Sequence, residues 1–507
     1  MQVSDNKRIV FNSVVLYIKL ILSTIIGLYT SRAILMALGA SDYGLYNLVG
    51  GVVTMMNFMG TTMISVTNRF IIVEIGKGEG GNCRKVFNTS LIIHIFLAFL
   101  IVILGNTAGI YYIENIANIP HEKIDDAIYV LHLSVLACVF NTLYIPYNGL
   151  ILAREKFVFT SFVEIGRNLL KLIFVLYLSV YLGNKLRLFA NIMALYSLML
   201  PLSMFIYCQI KDSEVVKWQF NRCWNDYKKI FSFAFWIMIG AVAYIGQAQG
   251  ANIIINFFYG TILNAAYGIA NQVNNYVMLF VRSFNQAALP QIMKTQGNDK
   301  ERSVKLVYLT TKYSFLILLL PMIPLILNMD FVLELWLKNV PAYTNIFVIT
   351  LLVTSLIRSL GSGFDATIQA SGKVRLNQIV YSTLFLGVLP LAFFLYKLGC
   401  HENTINILIL ITSIVVLIFQ TIYLSKISDL TIKGYFTKTI KPCLLVFGIS
   451  VLPLLIIKYN LPPTRLFFVI QVIISLIWTI TTVFLIGMGK TEKQAILKRI
   501  HKNVQSK

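Results

Sequence analysis

The chain has 507 residues, of which 57% are hydrophobic and only 13% are charged. A soluble domain of this length needs roughly a quarter of its residues to be charged, so the composition excludes an ordinary soluble enzyme or binding module. The formal net charge of +22 comes from 43 Lys and Arg against 21 Asp and Glu, and in a lipid-facing protein it indicates basic loops on one side of a membrane rather than nucleic acid binding.

Apolar runs of about 20 residues recur from one end of the chain to the other, and each is long enough to cross a bilayer as a helix. Open strands cannot satisfy their backbone hydrogen bonds in hydrocarbon, so we predict an all-α integral membrane protein with about 14 transmembrane helices. In chain order the predicted spans are 9–37, 43–73, 86–109, 126–152, 158–182, 188–210, 229–258, 264–293, 304–328, 344–371, 376–398, 404–425, 441–458 and 465–488.

The distribution of polar segments predicts five parts. These are an N-terminal six-helix lobe (1–212), a cytoplasmic linker (213–228), a C-terminal six-helix lobe (229–427), helices 13 and 14 (438–488) and a basic cytoplasmic tail (489–507). One alternating set of loops carries roughly 28 Lys and Arg against about 7 in the other set, and the positive-inside rule therefore places both termini in the cytoplasm.

The two lobes are predicted to be copies of one another. The second span opens with YGLYN at 43–47 and the eighth with YGIAN at 267–271. The fourth span ends with ILAREK at 151–156 and the tenth with IQASGK at 368–373, at nearly the same offset. Because six spans separate the copies, they run in the same direction across the membrane, and such a parallel repeat is a transporter architecture.

Cations outnumber acids within the predicted spans. A lysine or arginine at the bilayer centre costs about 2.5–3.5 kcal/mol, so each needs a wet cavity, an acidic partner or an interface. The predicted lining of a cationic substrate cavity consists of Arg32, Arg282, Lys19, Arg358, Lys171, Arg167, Asn271 and Asn275. A cavity of this sign favours an anionic ligand, and arginine suits phosphate because its planar fork binds two oxygens.

Several of these charges have a structural explanation as well. Glu164 and Arg167 lie three residues apart, so an ion pair within one helix is as strongly expected as a cavity role. Arg358 and Asp365 share a helical face and are candidates for parts of a buried pair, although their separation of two turns is too far for a direct contact. Lys312 lies within about two turns of the cytoplasmic side, where snorkelling to the interface explains its charge.

No catalytic constellation accompanies the spans. The histidines are scattered, the six cysteines contain no CxxC pair, and no GxSxG, HExxH or phosphate-binding loop occurs. We therefore expect no enzyme activity, cofactor or metal. A membrane glycan polymerase or acyltransferase is the enzyme alternative, and a structural partner of an assembly complex is a further one.

Three stretches of sequence resemble a known family. SRAILMALGASDYGLYNLVGGVV from Ser31, followed by TNRFIIVEIGKGE, is similar to the polysaccharide-transport proteins that flip O-antigen and capsule repeat units, and so is IQASGKVR from Ile368. That family belongs to the multidrug/oligosaccharidyl-lipid/polysaccharide exporter superfamily, which also holds the multidrug and toxin extrusion transporters and the peptidoglycan-precursor flippase.

The resemblance implies two six-helix lobes that form a V and open alternately to each side of the bacterial inner membrane. It implies a flippase whose substrate is an undecaprenyl-pyrophosphate-linked oligosaccharide, such as a lipopolysaccharide O-antigen unit. Arg32, Asp42 and Arg282 occupy places that match an arginine, an aspartate and an arginine important in the peptidoglycan-precursor flippase. A multidrug or cation antiporter of the same superfamily is the alternative.

The expected transport function also suggests which residues couple it to an ion and which molecules the protein meets. The acids expected to gate the cavity or couple it to H⁺ or Na⁺ are Asp42 and Asp365. The expected partners are the lipid-linked anionic glycan, membrane lipids, and the glycan polymerase and glycosyltransferases that act before and after transport, with no nucleic acid among them.

Overall fold

A computed structural model of the protein describes residues 2–78, 81–115, 117, 119–337, 340–460, 465–489 and 492–494. Within these ranges the structure describes only the backbone of some residues. They are 2–10, 28, 31, 32, 35, 40, 41, 43, 44, 47, 48, 50–59, 61, 261, 297, 298, 456–460, 465 and 466. The regular elements of the described chain are all helical. The chain forms two compact units, residues 1–238 and 239–507.

The first unit holds seven helices and the start of an eighth. They are α1 (Gln2–Gly76), α2 (Cys83–Asn115), a 3-10 turn (His121–Lys123), α3 (Ile124–Leu143), α4 (Ile145–Ala153), α5 (Phe157–Val180), α6 (Lys185–Lys211), α7 (Ser213–Val216) and α8 (Trp224–Asn298). Helix α2 packs closely on α3 because a Cβ at Gly105 would lie only 2.5 Å from a methyl of Val135. Small residues that allow such close approach are typical of helix pairs in membranes.

The second unit holds the rest of α8 and nine further helices. They are α9 (Lys300–Leu327), α10 (Met329–Leu337), α11 (Thr344–Ser359), α12 (Phe364–Ser371), α13 (Arg375–Lys397), α14 (Thr404–Ile427), α15 (Ile432–Tyr435), α16 (Lys441–Asn460) and α17 (Arg465–Thr482), with π-helical turns at Phe436–Ile440 and Val483–Gly487. Helix α9 lies in the core of this unit, and α16 and α17, the predicted helices 13 and 14, both pack against it.

Backbone breaks recur at matching places in the two predicted repeats. Helix α1 is broken at Gly39 (φ 75°, ψ 170°) and α8 at Gly260 (φ 75°, ψ −168°), in a region of backbone space that only glycine adopts readily. The left-handed residues Glu155 (φ 57°) and Gly372 (φ 76°) follow α4 and α12. These paired breaks support the repeat that the sequence predicts.

The prediction of an all-α, multi-pass membrane protein is confirmed. Nine helices of the described chain are long and apolar enough to cross a membrane, or ten if the pair α11 and α12, bent by 46°, counts as one span. Helix α5 is not among them because it carries three charged residues, Glu164, Arg167 and Lys171. Helix covers most of each of the fourteen predicted ranges, but the number fourteen stays a prediction.

The division between the two units falls inside α8, between Met238 and Ile239. The predicted linker therefore does not coincide with the point at which one unit gives way to the other. The five-part division given above, with its lobe boundaries, stays a prediction.

Candidate functional site

An ion pair joins α1 to α5 in the first unit. Lys19 Nζ lies 3.1 Å from Glu164 Oε2, and both side chains are largely buried. The expected pair between Glu164 and Arg167 is therefore wrong. Three-residue spacing only places two side chains on one face of a helix, whereas here the neighbouring helix brings a long lysine within reach of the carboxylate.

Two further cations of α5 gather around a tyrosine of α6. The ring centroid of Tyr196 lies 4.4 Å from Arg167 Cζ and 5.0 Å from Lys171 Nζ. The Tyr196 hydroxyl donates to Asn168 Oδ1 (2.8 Å), and Asn168 Nδ2 donates to Ser23 Oγ (3.1 Å). The Nε of Arg167 is buried and has no hydrogen-bond partner among the described residues.

We call Lys19, Glu164, Arg167, Lys171 and Tyr196 the α5 cluster. It holds three cations and one acid, so its charge is only partly compensated. A ring face attracts a cation through its quadrupole but does not neutralise it, so Arg167 and Lys171 remain able to bind an anion. The sequence pointed to the charged members, while nothing in it singled out Tyr196, because an aromatic residue in a membrane span is ordinary.

Arg358 and Asp365 have separate partners in the second unit. Arg358 Nε donates to Ser413 Oγ (3.0 Å), its Cζ lies 5.0 Å from the ring centroid of Phe385, and its Nη2 is buried with no hydrogen-bond partner among the described residues. Asp365 is exposed and accepts a hydrogen bond from Gln420 Nε2 (3.2 Å). The absence of a direct contact between these two charges agrees with their separation of two turns, and the bend between α11 and α12 further interrupts the face that they would share.

The remaining predicted cavity residues lie in α1 and α8. Asn275 and Arg282 are exposed, and neither takes part in a hydrogen bond or ion pair with the described residues. Asn271 Nδ2 donates to the carbonyl of Tyr267 in its own helix (2.9 Å). Arg32 belongs to α1, but its side chain lies outside the described residues.

Asp42, predicted to gate or couple transport, forms an ion pair with Lys123 of the 3-10 turn that precedes α3. The lysine comes from a segment far away in sequence, so nothing in the sequence indicated this partner. In the described structure Asp42 thus ties α1 to the turn before α3, and its predicted role in coupling stays a prediction.

Lys312 is buried rather than snorkelling, so that expectation is wrong. Its side-chain Nζ lies 2.8 Å from Oε2 and 3.0 Å from Oε1 of Glu492, and Oε2 also accepts a hydrogen bond from the Tyr313 hydroxyl (3.1 Å). Glu492 follows α17, near the end of the described chain. An acid supplied by this distant segment compensates the charge of Lys312 and removes the need to reach the interface.

No group of three or more His, Cys, Asp or Glu side chains suited to hold a metal ion occurs among the residues that the structure describes. The polar contacts of the α5 cluster and of Arg358 are ion pairs, hydrogen bonds and contacts with aromatic rings. Among the cations of the predicted cavity, Arg167 and Arg358 each have a buried guanidinium nitrogen atom with no hydrogen-bond partner among the described residues.

Comparison with known proteins identifies the fold. No protein-family model matches the chain, and no curated protein matches it. A crystal structure of a MATE mutant matches with a TM-score of 0.70 at 16% identity, covering 83% of this chain and 95% of that one. An outward-facing multidrug resistance MATE family transporter of the MOP superfamily matches with a TM-score of 0.68 at 16% identity, over 83% and 96% of the two chains.

A MOP superfamily transporter from Pyrococcus furiosus, whose binding pocket is described as having reverse polarity, matches with a TM-score of 0.65 at 16% identity, over 83% of this chain and 95% of that one. Sequence identity this low establishes shared architecture and not shared activity. The chain therefore has the fold of the MATE transporters.

Proposed function

We propose that the protein is a flippase of the MOP superfamily that moves an undecaprenyl-pyrophosphate-linked oligosaccharide across the bacterial inner membrane by alternating access. We propose further that it has fourteen spans with both termini in the cytoplasm. The observation that carries the proposal is the α5 cluster, where three cations accompany a single acid within one helical unit.

The energetic cost of these charges supports a role in binding. Arg167 and Lys171 have no carboxylate partner among the described residues, and each would cost about 2.5–3.5 kcal/mol at the centre of a bilayer. A pyrophosphate offers several anionic oxygens and offsets this cost on binding. The guanidinium of Arg167 suits it especially, because a planar fork donates to two phosphate oxygens at once.

The sign of the interior charge favours an anionic lipid-linked glycan over a cationic drug. One solved structure of this fold carries a pocket of reverse polarity, and a different function was suggested for it on that ground. Pocket charge is thus a better guide to the substrate than the fold is. An outward-moving substrate of charge about −2 also gains roughly 4–5 kcal/mol across 100 mV, inside negative.

The test is lipid flipping in proteoliposomes that contain a labelled lipid-pyrophosphate oligosaccharide. We compare wild type with Arg167→Gln and Lys171→Gln. The expected result is a loss of at least about tenfold in flipping rate for each variant, because one lost charge-assisted hydrogen bond is worth about 1.5–3 kcal/mol.

The matched control is Arg187→Gln, which removes an exposed arginine of the same unit that pairs with Asp126. It should flip glycolipid at the wild-type rate. Wild-type flipping by well-folded Arg167→Gln and Lys171→Gln proteins would disprove the role of the α5 cluster, and absence of any flipping by wild type would disprove the proposed function.

A multidrug or cation antiporter is the second candidate, because solved MATE structures share the fold and because Asp365 presents an exposed carboxylate. In that case the same vesicles take up an organic cation in exchange for H⁺ or Na⁺. Asp365→Asn would abolish this uptake, whereas Arg167→Gln would leave it unchanged. No described residue set supports the glycan polymerase or acyltransferase alternative.

A further inference from the structure

The segment between α6 and α8 is fixed to the first unit by its backbone. Asn88 Nδ2 donates to the carbonyl of Lys217 (3.1 Å), and Asn88 Oδ1 accepts from the backbone N–H of Gln219 (3.0 Å). Arg84 Nε donates to the same Lys217 carbonyl (3.2 Å). Two residues at the start of α2 therefore hold the first half of this segment in one conformation.

The side chain of Asn221 fixes the second half. It is only 8% exposed, and its Nδ2 donates both to Thr89 Oγ1 (2.8 Å) and to Asp226 Oδ2 (2.9 Å). Asp226 in turn forms an ion pair with Lys85 Nζ (2.7 Å), and the Tyr227 hydroxyl donates to the Asn221 carbonyl (2.8 Å). A segment between two long helices is usually loose, but these contacts make this one a folded part of the first unit.

Three large aromatic side chains project from this fixed segment. Trp218 is 56% exposed, Phe220 62% and Trp224 71%. Trp224 is also the first residue of a helix long and apolar enough to span the membrane, so it stands at the start of a candidate span, and Trp218 and Phe220 precede it by a few residues. Tryptophan is enriched at membrane–water interfaces because its ring is apolar while its N–H bonds to water and headgroups.

The charges on the same segment are mostly positive. Its exposed cations are Lys217, Arg222, Lys228 and Lys229. Two of the nearby acids are already paired, Asp212 with Arg154 (3.0 Å) and Asp226 with Lys85. Glu214 is the remaining acid between Lys211 and Lys229, so the surface has a clear excess of positive charge.

We propose that residues 217–229 form a preformed binding surface for anionic phospholipid headgroups. The rings of Trp218, Phe220 and Trp224 enter the interface, and the four cations contact the phosphates of neighbouring lipids. Asn221 is the positioning residue that holds the rings and cations on one surface. This proposal concerns the bilayer lipid and holds whatever substrate the protein transports.

The test uses the full-length protein in nanodiscs of phosphatidylcholine that contain either brominated phosphatidylglycerol or brominated phosphatidylcholine at the same mole fraction. All proteins compared carry Phe in place of Trp236, Trp336 and Trp478, so that quenching of tryptophan fluorescence reports lipid close to Trp218 and Trp224. We expect stronger quenching by the anionic lipid, with an apparent affinity roughly tenfold or more above that for the zwitterionic one, because each cation near a charged surface adds attraction. Replacing Lys217, Arg222, Lys228 and Lys229 together by Gln should abolish this preference.

The matched control removes four exposed lysines of other basic segments, in the variant Lys300→Gln, Lys305→Gln, Lys426→Gln and Lys433→Gln. It should keep the wild-type preference. A third variant, Asn221→Ala, retains every ring and cation and should lower the preference while the protein stays monodisperse on size exclusion.

Equal quenching by both lipids in wild type would overturn the proposal and point to an acidic soluble protein as the partner of this surface. An equal loss in the control variant would also overturn it, since the effect would then be one of total charge. Full preference in Asn221→Ala would overturn the positioning role of that residue.

Discussion

At the residue scale, charges in the interior of the protein are held by partners from distant parts of the chain. Lys19 of α1 pairs with Glu164 of α5, and Lys312 of α9 pairs with Glu492 beyond α17. Breaking a buried pair by removing one partner leaves the other charge without solvation, which costs more than the pair contributes when intact. Such contacts therefore constrain which substitutions the fold tolerates.

Lys312→Met is expected to lower the free energy of unfolding by about 2–3 kcal/mol, because it leaves the partly buried carboxylate of Glu492 unpaired. The double variant Lys312→Met, Glu492→Gln should recover most of the loss, since no buried charge remains. Unfolding by heat or denaturant in detergent micelles measures both effects. Equal stability of wild type and Lys312→Met would show that Glu492 is solvated without its partner.

At the scale of the element, helix breaks depend on particular glycines. Gly39 and Gly260 divide α1 and α8 into two helical segments each, and both adopt a backbone conformation that a side chain disfavours. Without these breaks, each 75-residue helix would continue in one direction and would not provide two spans.

Gly260→Ala is expected to destabilise the protein by about 1–3 kcal/mol through backbone strain alone, because no atom lies within 4 Å of the added methyl group. Gly268→Ala is the matched control, since it lies in the same helix, also meets no neighbouring atom and has no left-handed conformation. It should be neutral or stabilising by up to about 1 kcal/mol. Thermal unfolding in detergent separates the two, and an equal response would contradict the role of strain at Gly260.

At the scale of the whole molecule, the orientation in the membrane stays a prediction from the basic loops. The chain carries its own probes of orientation, because none of its six cysteines is in a disulfide. Cys223 is exposed in the segment before α8, and Cys400 is partly exposed between α13 and α14. The positive-inside rule places the first in the cytoplasm and the second outside.

Two single-cysteine variants test this orientation. A membrane-impermeant maleimide applied to intact cells should label the variant that retains Cys400 and should spare the variant that retains Cys223. Permeabilising the cells should expose Cys223. Labelling of Cys223 in intact cells would place the basic segments outside and would overturn the proposed orientation.

The sequence by itself determined the membrane character, the helical class and the transporter-like repeat. These follow from local or summed properties, such as the length of apolar runs, the scarcity of charge and the recurrence of YGLYN as YGIAN. It also identified α5 as an unusual span, because Glu164, Arg167 and Lys171 lie in a helix that is otherwise apolar.

Only the tertiary structure decided which partner each of these charges meets. Helical periodicity fixes the face on which a side chain lies, but the rotation, depth and tilt of the neighbouring helices decide which faces come together. Glu164 therefore pairs with Lys19 instead of Arg167, and Lys312 finds Glu492 instead of the interface. Because such long-range contacts depend on tertiary packing, the sequence did not single out Asn221, which donates to Thr89 of α2 more than a hundred residues away.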